Sequence, residues 1–170
     1  MALKKVVYSS PGVPGARGFE DLECYQLALD VMVNAHEFAK KLPPEEKHDL
    51  VAQVRRSSKS TPANIAEGYG RYHYLDSLKF YSIARGSLNE TLAHFINALS
   101  LGYIDQETFE LLYQLTRRVE KALNGYMNYV RKQRAGQDLA DGNNLREESI
   151  DYLIEDSSEI RVEQNDDLVD

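Results

Sequence analysis

Apolar positions recur along this chain at steps of three and four over four long stretches, the periodicity of amphipathic helices. In the first, Leu22, Tyr25, Leu29, Met32, Val33 and His36 share that spacing. Glu20, Asp21 and Glu23 suit the positive end of a helix beginning near Phe19. Pro43 and Pro44 end it, since neither can extend a helix. The second stretch runs from about Glu45 to Tyr69, with Val51, Val54, Ser58, Thr61, Ile65 and Tyr69 on one line and Gly68 and Gly70 marking its end. The third begins near Asp76 and carries Leu78, Tyr81, Leu88, Leu92, Phe95 and Leu99. "LGYID" reads as a turn with Asp105 as the next N-cap. The fourth, through Phe109, Leu112, Thr116, Val119, Leu123, Tyr126 and Val130, is a heptad pattern. Short connections between long helices predict an all-α, antiparallel up-down-up-down four-helix bundle. No alternating run of β-branched residues suggests a sheet.

Pro62 interrupts this picture, because a proline inside a helix costs about 3 kcal/mol. The hydroxyls of Ser58, Ser60 and Thr61 are expected to supply local hydrogen bonds there. The small residues around Pro62 would let a kinked backbone approach a neighbour closely.

Charge changes the domain picture. The net charge of -7 is unevenly placed: residues 19–134 hold 15 basic and 15 acidic side chains, and residues 135–170 hold 2 and 12. Lys4, Lys5 and Arg17 make the start basic. The expected organisation is a flexible leader (1–18), a bundle (19–134) and an acidic, mostly disordered tail (135–170). Within that tail, "LREESIDYLIEDSSEIRVE" is able to form a short helix when supported. The acidic total therefore does not argue against an anionic partner for the bundle. Hydrophobic content of 42% and charged content of 28% fit a soluble globular protein. No stretch approaches the roughly 20 apolar residues of a membrane span, and none resembles a signal peptide. One cysteine, Cys24, excludes an internal disulfide framework, and the expected location is cytoplasmic.

Catalytic chemistry finds little support. His36, His48, His73 and His94 fall on different elements or at their ends, without the paired Glu-x-x-His motifs of a di-metal bundle. Glu90 and His94 stand at i, i+4, a spacing better suited to a surface or interface hydrogen bond than to a metal. His36 reads as a satisfied core residue, and Cys24 as a small buried hydrophobe. "EGYGR" follows a helix rather than a strand and fails as a nucleotide fingerprint. Ser57, Ser58 and Ser60 have no identifiable general base. The expectation is no enzyme, no cofactor and no metal.

Surface residues are more informative. Arg56, Ser60, Asn64, Glu67 and Arg71 advance by three and four along the second helix, opposite its apolar line. They suit a polar subunit interface or the presentation of cations to phosphates. Lys79, Arg85, Arg131, Lys132 and Arg134 add basic groups on later helices. Tyr69, Tyr72 and Tyr74 crowd the second connection, interleaved with Arg71 and His73, a combination that serves either protein interfaces or base stacking.

"FEDLECYQLALDV", "LVAQVRRSSKSTPANIAEGYGR", "KFYSIARGSLNETLAHFINAL" and "LGYID" together resemble the four-helix bundle proteins of the 23S rRNA intervening-sequence type. The most specific pieces are Ala63-Asn64-Ile65-Ala66-Glu67-Gly68, Arg71, and Ala84-Arg85-Gly86-Ser87. That family includes the accessory variability determinant proteins of diversity-generating retroelements. The resemblance spans about residues 19–133 and implies a homopentameric barrel without catalytic activity. For the retroelement branch it implies binding to a reverse transcriptase and to RNA or RNA/DNA. Arg56, Arg71, Lys79, Arg85, Arg131, Lys132 and Arg134 would then make partner or phosphate contacts. Ser60, Pro62, Asn64, Glu67, Gly68, Tyr69 and Tyr72 would serve structure or interface. The retroelement branch looks basic, whereas this bundle is neutral. The alternative expectation is a structural protein-interaction bundle without direct nucleic-acid binding.

Overall fold

The computed structural model describes residues 3–6 and 18–140, and the side chains as far as Ala135. Most of the expected leader (1–18) and acidic tail (135–170) lies outside the described residues. The described residues as far as Ala135 belong to one compact unit, and the chain divides at Gly136. Among the described residues there are four α-helices and no strand: α1 (Glu23–Ala39), α2 (Leu50–Tyr69), α3 (Tyr74–Ser100) and α4 (Gln106–Ala140).

All four helices contribute to two apolar lobes. The first joins Cys24, Leu27, Ala28 and Val31 of α1 to Ile65 of α2, Leu78, Tyr81 and Leu88 of α3, and Val119, Leu123 and Met127 of α4. The second joins Phe38 of α1, Leu50, Val51 and Val54 of α2, Leu92 and Phe95 of α3, and Leu112 of α4. Close to the boundary between the lobes lie polar residues: Asn34, then Ser57, Ser58 and Thr61, then Thr91, then Thr116, each at most 1% exposed. Thr91 Oγ1 donates to Ser57 Oγ at 2.9 Å, and Thr116 Oγ1 donates to the Leu112 carbonyl at 2.8 Å. These bonds satisfy groups that would otherwise be costly to bury. Contacts between α2 and α3 descend one helix while they ascend the other. Ser57 meets Thr91, Ser60 meets Ser87, and Gly68 lies against Tyr81.

Several local expectations change. The first helix is preceded by a 3₁₀ turn at Phe19–Asp21, and α1 itself starts at Glu23. The expected apolar line of that helix, Leu22 through His36, proves to be its half-buried flank. The fully buried line is Cys24, Leu27, Ala28, Val31, Ala35 and Phe38. Asp30 and Asn34 sit within that buried face, and their polarity breaks its apolar pattern in the sequence. The second helix does not begin at Glu45. Pro44–His48 is a 3₁₀ turn, Asp49 leaves helical geometry at φ −116° and ψ −102°, and α2 starts at Leu50.

Pro62 is buried within an unbroken α2. The expected local bonds around it are not those that form. Ser58 Oγ donates to the Arg55 carbonyl at 3.4 Å, Ser60 Oγ pairs with Ser87 Oγ at 2.8 Å, and Thr61 Oγ1 has no partner. None of the three hydroxyls replaces the missing Pro62 donor at the Ser58 carbonyl. The ring itself is buried within the helix.

The turn after α3 does follow the sequence. Gly102 takes a left-handed φ of 74°. Its N–H donates to the Leu99 carbonyl at 3.0 Å, and that of Tyr103 donates to the Ala98 carbonyl at 2.9 Å, the paired closure of a Schellman motif. Asp105 Oδ1 then accepts from the Thr108 N–H at 2.7 Å, capping α4.

Candidate interaction surface

The polar line of α2 is only partly solvated. Ser60 and Asn64 are half-buried, with Asn64 Nδ2 donating to the Ser60 carbonyl at 2.8 Å and to its Oγ at 3.0 Å. Arg56 is exposed, donates to Gln53, and lies 3.8 Å from Glu90. Arg71 pairs with Glu67, and its guanidinium sits 4.5 Å above the Phe80 ring. The line thus reads from a solvated ion pair through an α2–α3 contact to a stacked arginine.

Gly68 lies one turn above that arginine for a packing reason. A Cβ built there would come within 2.5 Å of Tyr81 Cε1 and 3.0 Å of the Ser77 carbonyl oxygen. Gly70, which caps the helix, keeps a right-handed φ of −75°, so neither glycine is needed for a left-handed turn. The close approach brings the ends of α2 and α3 together and exposes their connection. Tyr69, Tyr72, Tyr74 and Leu75 are the exposed large hydrophobics at this corner, and Tyr72 is 92% exposed. Tyr69 stacks edge-on against Phe19 at 6.4 Å, and Tyr72 against His73 at 5.1 Å.

Six of the seven expected contact cations are spread over α2, α3 and α4, and Arg71 lies in the connection between α2 and α3. Arg85 Nη1 reaches Asn124 Oδ1 at 3.5 Å, and Arg131 Nη1 reaches Asn128 Oδ1 at 2.7 Å. Arg134 is half-buried, while Lys79 and Lys132 are exposed. Arg56, Arg71, Arg85 and Arg131 each bond a different neighbour, and no bond gathers these cations around one point. Among the described residues, no group of three or more His, Cys, Asp or Glu is placed to hold a metal ion. Glu90 Oε1 and His94 Nε2 stand 3.7 Å apart, too far for the hydrogen bond expected of them, and both ring nitrogens of His94 are buried without a partner. His36 is held below the ordinary histidine range by burial and by the nearby cations Lys59 and Arg55. No helix among the described residues is long and apolar enough to cross a membrane.

Sequence reasoning missed a further contact. The backbone at residues 3–6 lies against α1, bonded to the buried side chains of Asn34 and Asp30. The only signal for it was the pair of polar residues interrupting the buried face of α1.

Four helices around a divided core, with an aromatic corner where α2 meets α3, define the class of the protein as an all-α helical bundle. The family model for the 23S rRNA-intervening sequence protein matches residues 20–125. The chain belongs to that family. A crystal structure of a protein of unknown function from the S23 ribosomal protein family of Bacteroides thetaiotaomicron is similar in fold, with a TM-score of 0.58 and 24% identity. The match covers 62% of this chain and 95% of that one. No curated protein matches the sequence.

Proposed function

We propose that this protein is a non-enzymatic, self-associating interaction bundle that acts through protein contacts. Its unit is read as an antiparallel up-down-up-down bundle, assembled as a homopentamer, with neither cofactor nor metal. The observation that carries this reading is the exposed Tyr69, Tyr72, Tyr74 and Leu75 corner. Aromatic groups beside an arginine are the usual anchors of protein interfaces. The packing of Gly68 on Tyr81 and of Arg71 on Phe80 holds that corner in place. Replacing Tyr72 and Leu75 together by serine is expected to lower the association state while leaving helical circular dichroism unchanged. Assembly identical to the parent protein would remove the corner from the interface.

A second reading follows the retroelement branch of the family resemblance: an accessory protein, cytoplasmic, that binds a reverse transcriptase and/or RNA. Lys79 and Lys132, exposed and outside any ion pair among the described residues, favour it. The neutral bundle and its dispersed arginines favour the protein-contact reading instead. RNA binding at low salt that weakens when Lys79, Arg85, Arg131 and Lys132 are reversed in charge supports the second reading. Binding absent at low salt, or indifferent to those reversals, removes its RNA part.

A further inference from the structure

The short segment Leu3–Val6 is recognised through its main chain. Asn34, fully buried on α1, accepts from the Lys4 N–H through Oδ1 at 2.9 Å and donates from Nδ2 to the Lys4 carbonyl at 2.7 Å. One turn away, Asp30 Oδ1 accepts from the Val6 N–H at 2.6 Å. Both contacts fall on alternate residues, the spacing of one edge of an extended chain. The amide of Asn34 thereby pairs with a peptide as a neighbouring strand would.

Side chains add little to this recognition. Leu3, Lys4 and Lys5 are exposed, and the one ion pair, Lys4 with Glu37 at 3.2 Å, is exposed on the lysine side. Such a pair is weak in water. Lifting the segment, however, strips Asn34 Oδ1 of its protein partner, which a buried amide tolerates poorly. The site therefore favours having an occupant, and the occupant is selected by backbone geometry.

The connection leaves room for exchange. Residues 7–17 separate Val6 from Gly18, a chain length able to span about 40 Å when extended. Along α1, Asp30 is only about 10 Å from the helix start at Glu23. The reach of the tether exceeds that stretch of α1. In an assembly, the same segment of a neighbouring copy is present at high effective concentration and fits the site identically.

We propose that Asn34 and Asp30 form a peptide site that, in the assembled protein, takes the Leu3–Val6 segment of a second copy. This rests on the self-association proposed above. The test mixes two full-length variants. An isotope-labelled chain carries Asp30→Ala and Asn34→Leu, which breaks its own site and leaves its segment intact. An unlabelled chain carries Lys4→Pro and Val6→Pro, which removes the two donors and leaves its site intact. Should the labelled double variant lose helical signal, Asp30→Ala alone takes its place, with Val6 as the reporter.

Amide exchange at labelled Val6 is expected to be fast alone and slowed roughly tenfold or more after mixing. That recovery is possible only across chains. Mass measurement of the same mixture separates the two ideas. Assembled protein with Val6 still fast overturns the exchange and leaves self-association standing. Monomers overturn both, whatever the rate at Val6.

Discussion

Adding one methyl group at Gly68 tests whether close packing, rather than helix termination, explains that glycine. The new Cβ would stand 2.5 Å and 2.9 Å from two ring carbons of Tyr81, and 3.0 Å from a backbone oxygen. Tyr81 cannot readily retreat: it is 1% exposed, and its ring packs against Tyr126 at 5.3 Å. Overpacking of this kind costs about 1–3 kcal/mol. The higher helix propensity of alanine returns about 1 kcal/mol. Gly68→Ala is therefore expected to be neutral to about 2 kcal/mol less stable. The internal control is Gly86→Ala on α3, where a Cβ meets nothing within 4 Å. There the propensity term acts alone, and stability should rise by up to about 1 kcal/mol. Urea unfolding at matched protein concentration reads both changes. Equal stabilisation by the two substitutions would refute the packing account of Gly68.

Three other outcomes follow from the core and caps. Burial pushes the Cys24 thiol from 9.0 up to about 11, so its contribution to stability is complete below pH 9 and is lost as pH rises through about 11. Tyr81 and Tyr126 are raised as well, so the Cys24 share is the difference between the parent and Cys24→Ala in urea midpoints across that window. A parallel pH profile for the two proteins contradicts the assignment. Thr91→Val removes the bond to Ser57 without changing side-chain shape, and should cost about 0.5–1.5 kcal/mol, since Ser57 Oγ keeps its bond to the Val54 carbonyl; an unchanged urea midpoint contradicts a bonded polar tier. Asp105→Ala should lower the thermal midpoint, and the parent should lose that advantage as pH falls through the depressed Asp105 value, held down by its bond to Thr108. Equal midpoints at pH 7 contradict the cap.

Legibility in the sequence tracked how much of each helix face was apolar. The α4 pattern was clear because Leu112, Val119, Leu123 and Val130 alternate with solvated residues, and Asp105 and Gly102 announced the turn by their chemistry. The phase of α1 was obscured because two of its buried residues, Asp30 and Asn34, bind backbone from residues far away in sequence. Periodicity carries no signal for such a partner. Gly68 was noticed for the wrong reason, since its close neighbour Tyr81 lies on the next helix. The polar line of α2 was visible as spacing, yet only the fold shows that Ser60 turns towards Ser87 of α3 and that Asn64 bonds back to Ser60.

Self-association is the central claim, and native mass measurement of the full chain at micromolar concentration tests it most directly. The account predicts a discrete assembly at five times the 19.4 kDa chain mass, reduced by the paired Tyr72→Ser and Leu75→Ser substitutions. A species at the mass of one chain would contradict it.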